Sequence, residues 1–333
     1  MSESFLQGLY TSIDVIGQMA LLVLLGFLMV RRKWIREDTL SDLVRFLIDV
    51  VIPCTFVLAM ARSFSLEILE EGLVLVLFST AWIVLSWAAG TMLYRILPGG
   101  DPQADRSVVA MMMISNSLYL PLPVILAVTP GHMHDQAVMY ISMVSLPSIA
   151  IMWTAGVKLL GRSADLTAAE RLKRIFNPPI VSFFAGILIS FIPGVRESAR
   201  GIQGGMAPVE TIMSVLEFVS RMLSPMAMII LGGMIAGAGS IRGIPSRYTV
   251  PLVLIRLIAV PLAVYAVLRN LPVEPLAATI LVLVAAAPPA TNHALVARRY
   301  GGRWKLVSGL QLAVHLAALL TLPLWLSIAL SSF

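Results

Sequence analysis

Apolar residues along this chain fall into long blocks, and polar residues are confined to the shorter stretches between them. A helix needs about 20 mainly apolar residues to cross a bilayer. By that measure ten spans are expected, near residues 8–30, 40–61, 72–97, 107–128, 136–160, 177–193, 209–237, 247–269, 275–298 and 304–330. A long polar stretch, GRSADLTAAERLKRIF, separates the fifth block from the sixth. It divides the chain into a first half (1–160), a linker (161–176) and a second half (177–333). The expected fold is an all-α membrane protein of ten transmembrane helices, five to each half.

Two blocks do not read as continuous helices. In the ninth, AAAPPATNHALVARRYGG (285–302) sets Pro288 and Pro289 side by side, then Asn292. In the fourth, SNSLYLPLPVILA (115–127) sets Asn116 ahead of Pro121 and Pro123. Proline has no amide proton and its ring clashes with the preceding turn. Backbone freed inside lipid must be covered by protein or by a wet cavity. Transport proteins place discontinuous helices of this kind at mid-membrane, around a solute.

The cations follow the connections. Arg31, Arg32, Lys33, Arg36, Arg95, Arg106, Lys158, Arg162, Arg171, Lys173, Arg174, Arg242, Arg247, Arg298, Arg299, Arg303 and Lys305 fall beside odd-numbered connections. Only Arg62, Arg196, Arg200 and Arg269 fall beside even-numbered ones. Positive loops stay in the cytoplasm, so both termini are expected on the extracytoplasmic side of the cell membrane. An odd number of spans per half then inverts the second half relative to the first. Arg45, Asp49, Pro53 in the second block and Glu217, Arg221, Pro225 in the seventh share a four-residue spacing, a trace of that repeat.

Composition agrees. The chain is 58% hydrophobic and 13% charged, with a mean hydropathy of +0.90. Soluble domains carry about a quarter charged residues. The net charge of +6 reports topology, and nucleic acid is not an expected partner. The opening MSESFLQGLY lacks a positive n-region, so the first block reads as a span and not a removed signal. The single cysteine, Cys54, allows no intramolecular disulfide. No phosphate-cradling Gly-Lys-Ser/Thr loop, metal-ligand spacing or Gly-x-Ser-x-Gly elbow occurs. No enzyme activity, cofactor or metal is therefore expected, and movement must draw on a gradient or be passive.

Asn116 and Asn292 are the leading candidates for binding a solute. Each amide offers donors and an acceptor. Backbone amides freed at the start of each second half-helix would add partial positive charge. Together these suit a carboxylate. The competing reading is that each Asn only satisfies backbone freed by the prolines. Ser115, Ser117, Thr291 and His293 are weaker neighbours, since membrane hydroxyls commonly bond their own helix. Gln311 becomes a ligand if the ninth segment folds back against the tenth. Arg45 with Asp49, and Glu217 with Arg221, share helix faces; they read either as coupling or gating groups or as ion pairs fixing the second and seventh helices together. His315 could titrate near neutral pH or simply pack. Asp14 and Arg256 are isolated polar residues within spans.

LSDLVRFLIDVVIPCTFV after the first charged turn, NSLYLPLP, NPPIVSFFAGILIS and APPATNHALVARRYGG together resemble the auxin efflux carrier family, the bacterial relatives of the plant PIN proteins. The resemblance covers essentially the whole chain. The family pattern Asn-Thr-x-x-x-Gly-x-Pro is met by Asn116 and Pro123, with Ser117 in place of Thr and Pro121 in place of Gly. The resemblance implies two inverted five-helix repeats. Helices 1, 2, 6 and 7 would form a scaffold and helices 3–5 and 8–10 a transport domain. Helices 4 and 9 would cross at Pro121/Pro123 and Pro288/Pro289, with Asn116 and Asn292 as ligands. It further implies elevator-like movement of a small organic anion and a homodimer through the scaffold. The alternatives are a sodium-coupled organic-anion symporter of the bile-acid type, and a sensor that binds a solute without moving it.

Overall fold

A computed structural model describes residues 3–96, 100–161, 167–192, 194–199, 207–237 and 243–333. Arg162, Arg200 and Arg242 of the charge pattern, Pro193 at the end of the sixth block, and linker residues 162–166 lie outside the described residues. The described chain is helical, with no strand beyond one isolated bridge.

The helices are α1 (Glu3–Arg31), α2 (Asp38–Ser63), α3 (Leu66–Ile96), α4 (Pro102–Met113), α5 (Pro121–Val128), α6 (Gly131–Leu160) and α7 (Ala168–Ile175). They continue with α8 (Pro178–Ser190), α9 (Val195–Ala199), α10 (Pro208–Gly237), α11 (Ser246–Leu268), α12 (Pro275–Ala286), α13 (His293–Arg299) and α14 (Trp304–Ser332). Among the described residues, seven helices are long and apolar enough to cross a membrane, or eight if α7 and α8, bent by 62°, make one span. With large apolar side chains such as Leu21, Leu77, Leu188 and Leu320 facing outward, this is a multi-pass membrane protein.

Prolines set the irregularities. Pro53 follows a wide π turn, Leu47–Val51, inside α2, and Pro261 follows another, Ile255–Ala259, inside α11. In α10 the helix breaks at 221–222, just before Pro225. A proline removes the bond to the carbonyl four residues back, and an expanded turn relieves the clash. Asp49 and Arg221 therefore sit in matching places, each four residues before its proline.

Helix α1 packs along α10 and α14, α8 along the second part of α2, and α3 along α4 and α6. At the α1–α10 crossing the backbones touch: where Gly26 and Gly232 lack a Cβ, the carbonyl oxygens of Ile229 and Val23 occupy the space. Small residues permit such close approach in membranes. The two half-length helices α4 and α12 are buried almost along their whole lengths. The interrupted segments therefore lie in the protein interior, away from lipid.

Candidate functional site: the crossing of two broken helices

Chain 114–120 separates α4 from α5, and chain 287–292 separates α12 from α13. The two gaps meet. Asn116 N donates to Pro288 O (2.7 Å), Ala290 N donates to Ile114 O (3.2 Å), and Ser115 faces Pro289 in an antiparallel bridge. Each break thus supplies partners to the backbone that the other leaves free, which is what burial demands. On the first side the contact is made by Ile114–Asn116. Pro121 and Pro123 lie further on and begin α5, where a missing N–H costs little. Leu122 N and Val124 N bond the carbonyls of Leu118 and Leu120. The first four residues of α5 consequently offer no free N–H, and the expected positive backbone end is absent there.

A cavity of about 310 Å³ opens beside the crossing, lined by Ser115, Asn116, Ser117, Tyr119, Ser148, Trp153, Arg174, Asn177, Asn292 and apolar neighbours. Asn116 divides its amide between both sequence readings. Its Oδ1 accepts from Tyr119 N (3.1 Å), so it does satisfy freed backbone. Its Nδ2 is buried with no partner, and so are Asn292 Oδ1 and Ser115 Oγ. Ser148 Oγ, also in the cavity wall, is the fourth such atom, and a buried polar group left without a partner costs about 1–3 kcal/mol.

The other predicted residues distribute around this cavity. Ser117 lines it, and its carbonyl accepts from Ser145 Oγ (3.1 Å). Thr291, Gln311 and His315 line a neighbouring space of about 240 Å³. Gln311 Nε2 donates to Thr291 O (2.8 Å), so the tenth apolar block does reach the broken segment, by a backbone contact. His315 Nδ1 bonds Gln311 O on its own helix. His293 is fully buried behind the cavity, its ring nitrogens against Ala290 O (2.6 Å) and Ala110 O (3.2 Å), where it ties α13 to α4.

Arg45 and Asp49 are exposed, and among the described residues no ion pair joins them. Glu217 pairs with Arg221 (3.0 Å) and with Arg62 on α2 (2.7 Å), so an ion pair does join α2 to α10, through a different arginine. That cluster lines a separate cavity of about 430 Å³ with His134, Asp135 and Pro123. Asp14 accepts from Gln18 on the exposed face of α1.

Two cations matter more than their sequence context suggested. Arg256, in the π turn of α11, is completely buried and donates to Ala287 O (3.0 Å) and Val284 O (3.1 Å). Val284 is the residue whose carbonyl would bond the amide of residue 288, and residue 288 is proline. The guanidinium gives Val284 O a second donor beside Ala287 N (3.3 Å) and places a cation at the negative end of α12. Arg174, from the linker, lines the crossing cavity. An unpaired charge inside an apolar span was the available signal for Arg256. Arg174 had none, because linker cations are ordinarily topological.

A helical membrane protein whose two interrupted helices meet beside unpartnered amides is built like a solute carrier. The family described as "Membrane transport protein" matches residues 12–326, and the chain belongs to it, the auxin efflux carrier family. The Arabidopsis thaliana Protein PIN-LIKES 5 is 30% identical over 188 residues, 53% of this chain and 43% of that protein. Protein PIN-LIKES 7 of the same plant is 27% identical over 167 residues, 48% of this chain and 41% of that protein. The matched stretches thus span less than half the length of these curated relatives.

Proposed function

We propose that this membrane transporter is a secondary carrier for a small organic anion, with a carboxylate seated in the crossing cavity between Asn116 and Asn292. The observation that carries this reading is the pair of unpartnered amide atoms, Asn116 Nδ2 and Asn292 Oδ1, at one cavity beside the joined breaks. Asn116 Nδ2 donates to the anionic oxygen, and Asn292 Oδ1 accepts from a hydroxyl or N–H elsewhere on the solute. In this reading α4 with α5, and α12 with α13, are each one interrupted span, which makes ten spans in two inverted repeats. The scaffold is α1, α2, α8 and α10, and the remaining spans move past it as an elevator. Both termini lie outside the cell membrane, and scaffolds pair as a homodimer.

Proteoliposome flux over a panel of radiolabelled carboxylates tests this. Some carboxylate is expected to move saturably, and Asn292→Ala is expected to lower kcat/KM at least tenfold, about 1.4 kcal/mol of lost recognition. Flux unchanged in that variant would remove the amide site. Flux that requires sodium would point to the symporter alternative, and binding without flux to a sensor.

A further inference from the structure

We infer that Arg174 is the group that recognises the negative charge of the solute, held in reserve at the cavity by the linker helix. This deepens the anion reading above and rests on it. Among the described residues lining the crossing cavity, Arg174 is the one charged side chain. It reaches that position from α7, a helix whose start is fixed by a reciprocal cap between Thr167 and Glu170 and whose end leads within a few residues to Asn177, itself in the cavity wall.

The guanidinium is oriented by aromatic groups. It lies 5.2 Å from the Trp153 ring centre and 5.5 Å from that of Tyr300, and Nη1 donates to the Tyr300 hydroxyl. Cation–π contacts and a neutral hydroxyl hold a guanidinium without neutralising it, and the carboxylate one turn back, Glu170, is exposed and bonded to Thr167, so its pull on Arg174 is weakened by water. The planar fork therefore keeps donors for a carboxylate, with which it forms bonds roughly twice as strong as neutral ones. An anion entering between the asparagines meets this fork and displaces the Tyr300 hydroxyl, a partner that carries no charge. Tyr300 follows α13 directly, so that exchange frees the end of the second broken span from the linker.

Collisional quenching of Trp153 tests the inference with iodide as the anionic probe and acrylamide as the neutral one. The Trp153 emission is isolated as the difference between each protein and its Trp153→Phe counterpart. Arg174→Gln is expected to lower the iodide-to-acrylamide ratio of quenching constants about fourfold, the Boltzmann weight of one unit charge in water at the 5.2 Å separation. Arg174→Lys keeps most of the ratio. Lys173→Gln, the same loss of charge on the exposed side of α7, leaves it unchanged. Tyr300→Phe, which removes the competing hydroxyl, raises it. An unchanged ratio in Arg174→Gln, an equal fall in Lys173→Gln, or no rise in Tyr300→Phe overturns the inference. No flux is needed, so its failure is separable from failure of the amide site, which is read by transport in Asn292→Ala.

Discussion

The two breaks look alike in sequence, each an asparagine near paired prolines, yet they are closed by different physics. The first, 114–120, is closed by uncharged side chains: Asn116 Oδ1 on Tyr119 N and Ser145 Oγ on Ser117 O. The second, 287–292, is closed by a fully buried cation: Arg256 caps Val284 and Ala287, and Gln311 reaches Thr291 O. The difference follows from where the prolines stand. In the first break they begin the second half-helix, where their missing N–H groups are not needed. In the second they follow the first half-helix directly and leave its last carbonyls open. A half-helix that ends on proline needs a donor from another helix, and a charged one is the strongest available.

Replacing Arg256 should therefore have the largest effect. Arg256→Met strands the buried Ala287 carbonyl and takes one of two donors from Val284 O, and is expected to cost about 2–3 kcal/mol, read as a marked fall in Tm in detergent; a raised Tm would mean the cation is a burden there and the two breaks are equivalent. Next comes a contrast between the asparagines. Asn116→Ala should lose about 1 kcal/mol, because its side chain caps Tyr119 N. Asn292→Ala removes a buried Oδ1 that makes no bond, so its Tm should equal or exceed that of the parent, although both lose flux. Equal Tm values would erase that asymmetry. Ser145→Ala, which removes one neutral bond at the first break, is expected to cost about 0.5–1 kcal/mol.

Much of this was legible beforehand. Apolar blocks long enough to span lipid have few alternatives, and the helix limits at Leu160, Pro178, Pro275 and Trp304 fall within a few residues of the blocks. Proline pairs inside such blocks announced both interruptions, and the asparagines beside them line the cavity. Arg174 and Arg256 were written in the chain as a topological linker cation and an isolated charge. Their partners stand far off in sequence: Tyr300 for the one, Val284 and Ala287 for the other. Glu217 likewise met Arg62 where local spacing offered only Arg221. His293, a neighbour of Asn292 in sequence, points away from the cavity because α13 turns its ring toward Ala110.

The sequence by itself determined that the chain is a multi-pass helical membrane protein, where its helices break and which amides flank the breaks. Those properties follow from hydropathy and from proline's missing proton, which act over a few residues. Only the tertiary structure decided what closes each break, which atoms remain unpartnered and which cation stands at the cavity. Satisfying a buried carbonyl or orienting a guanidinium depends on groups brought within about 3 Å from distant parts of the chain, and no local pattern encodes that distance.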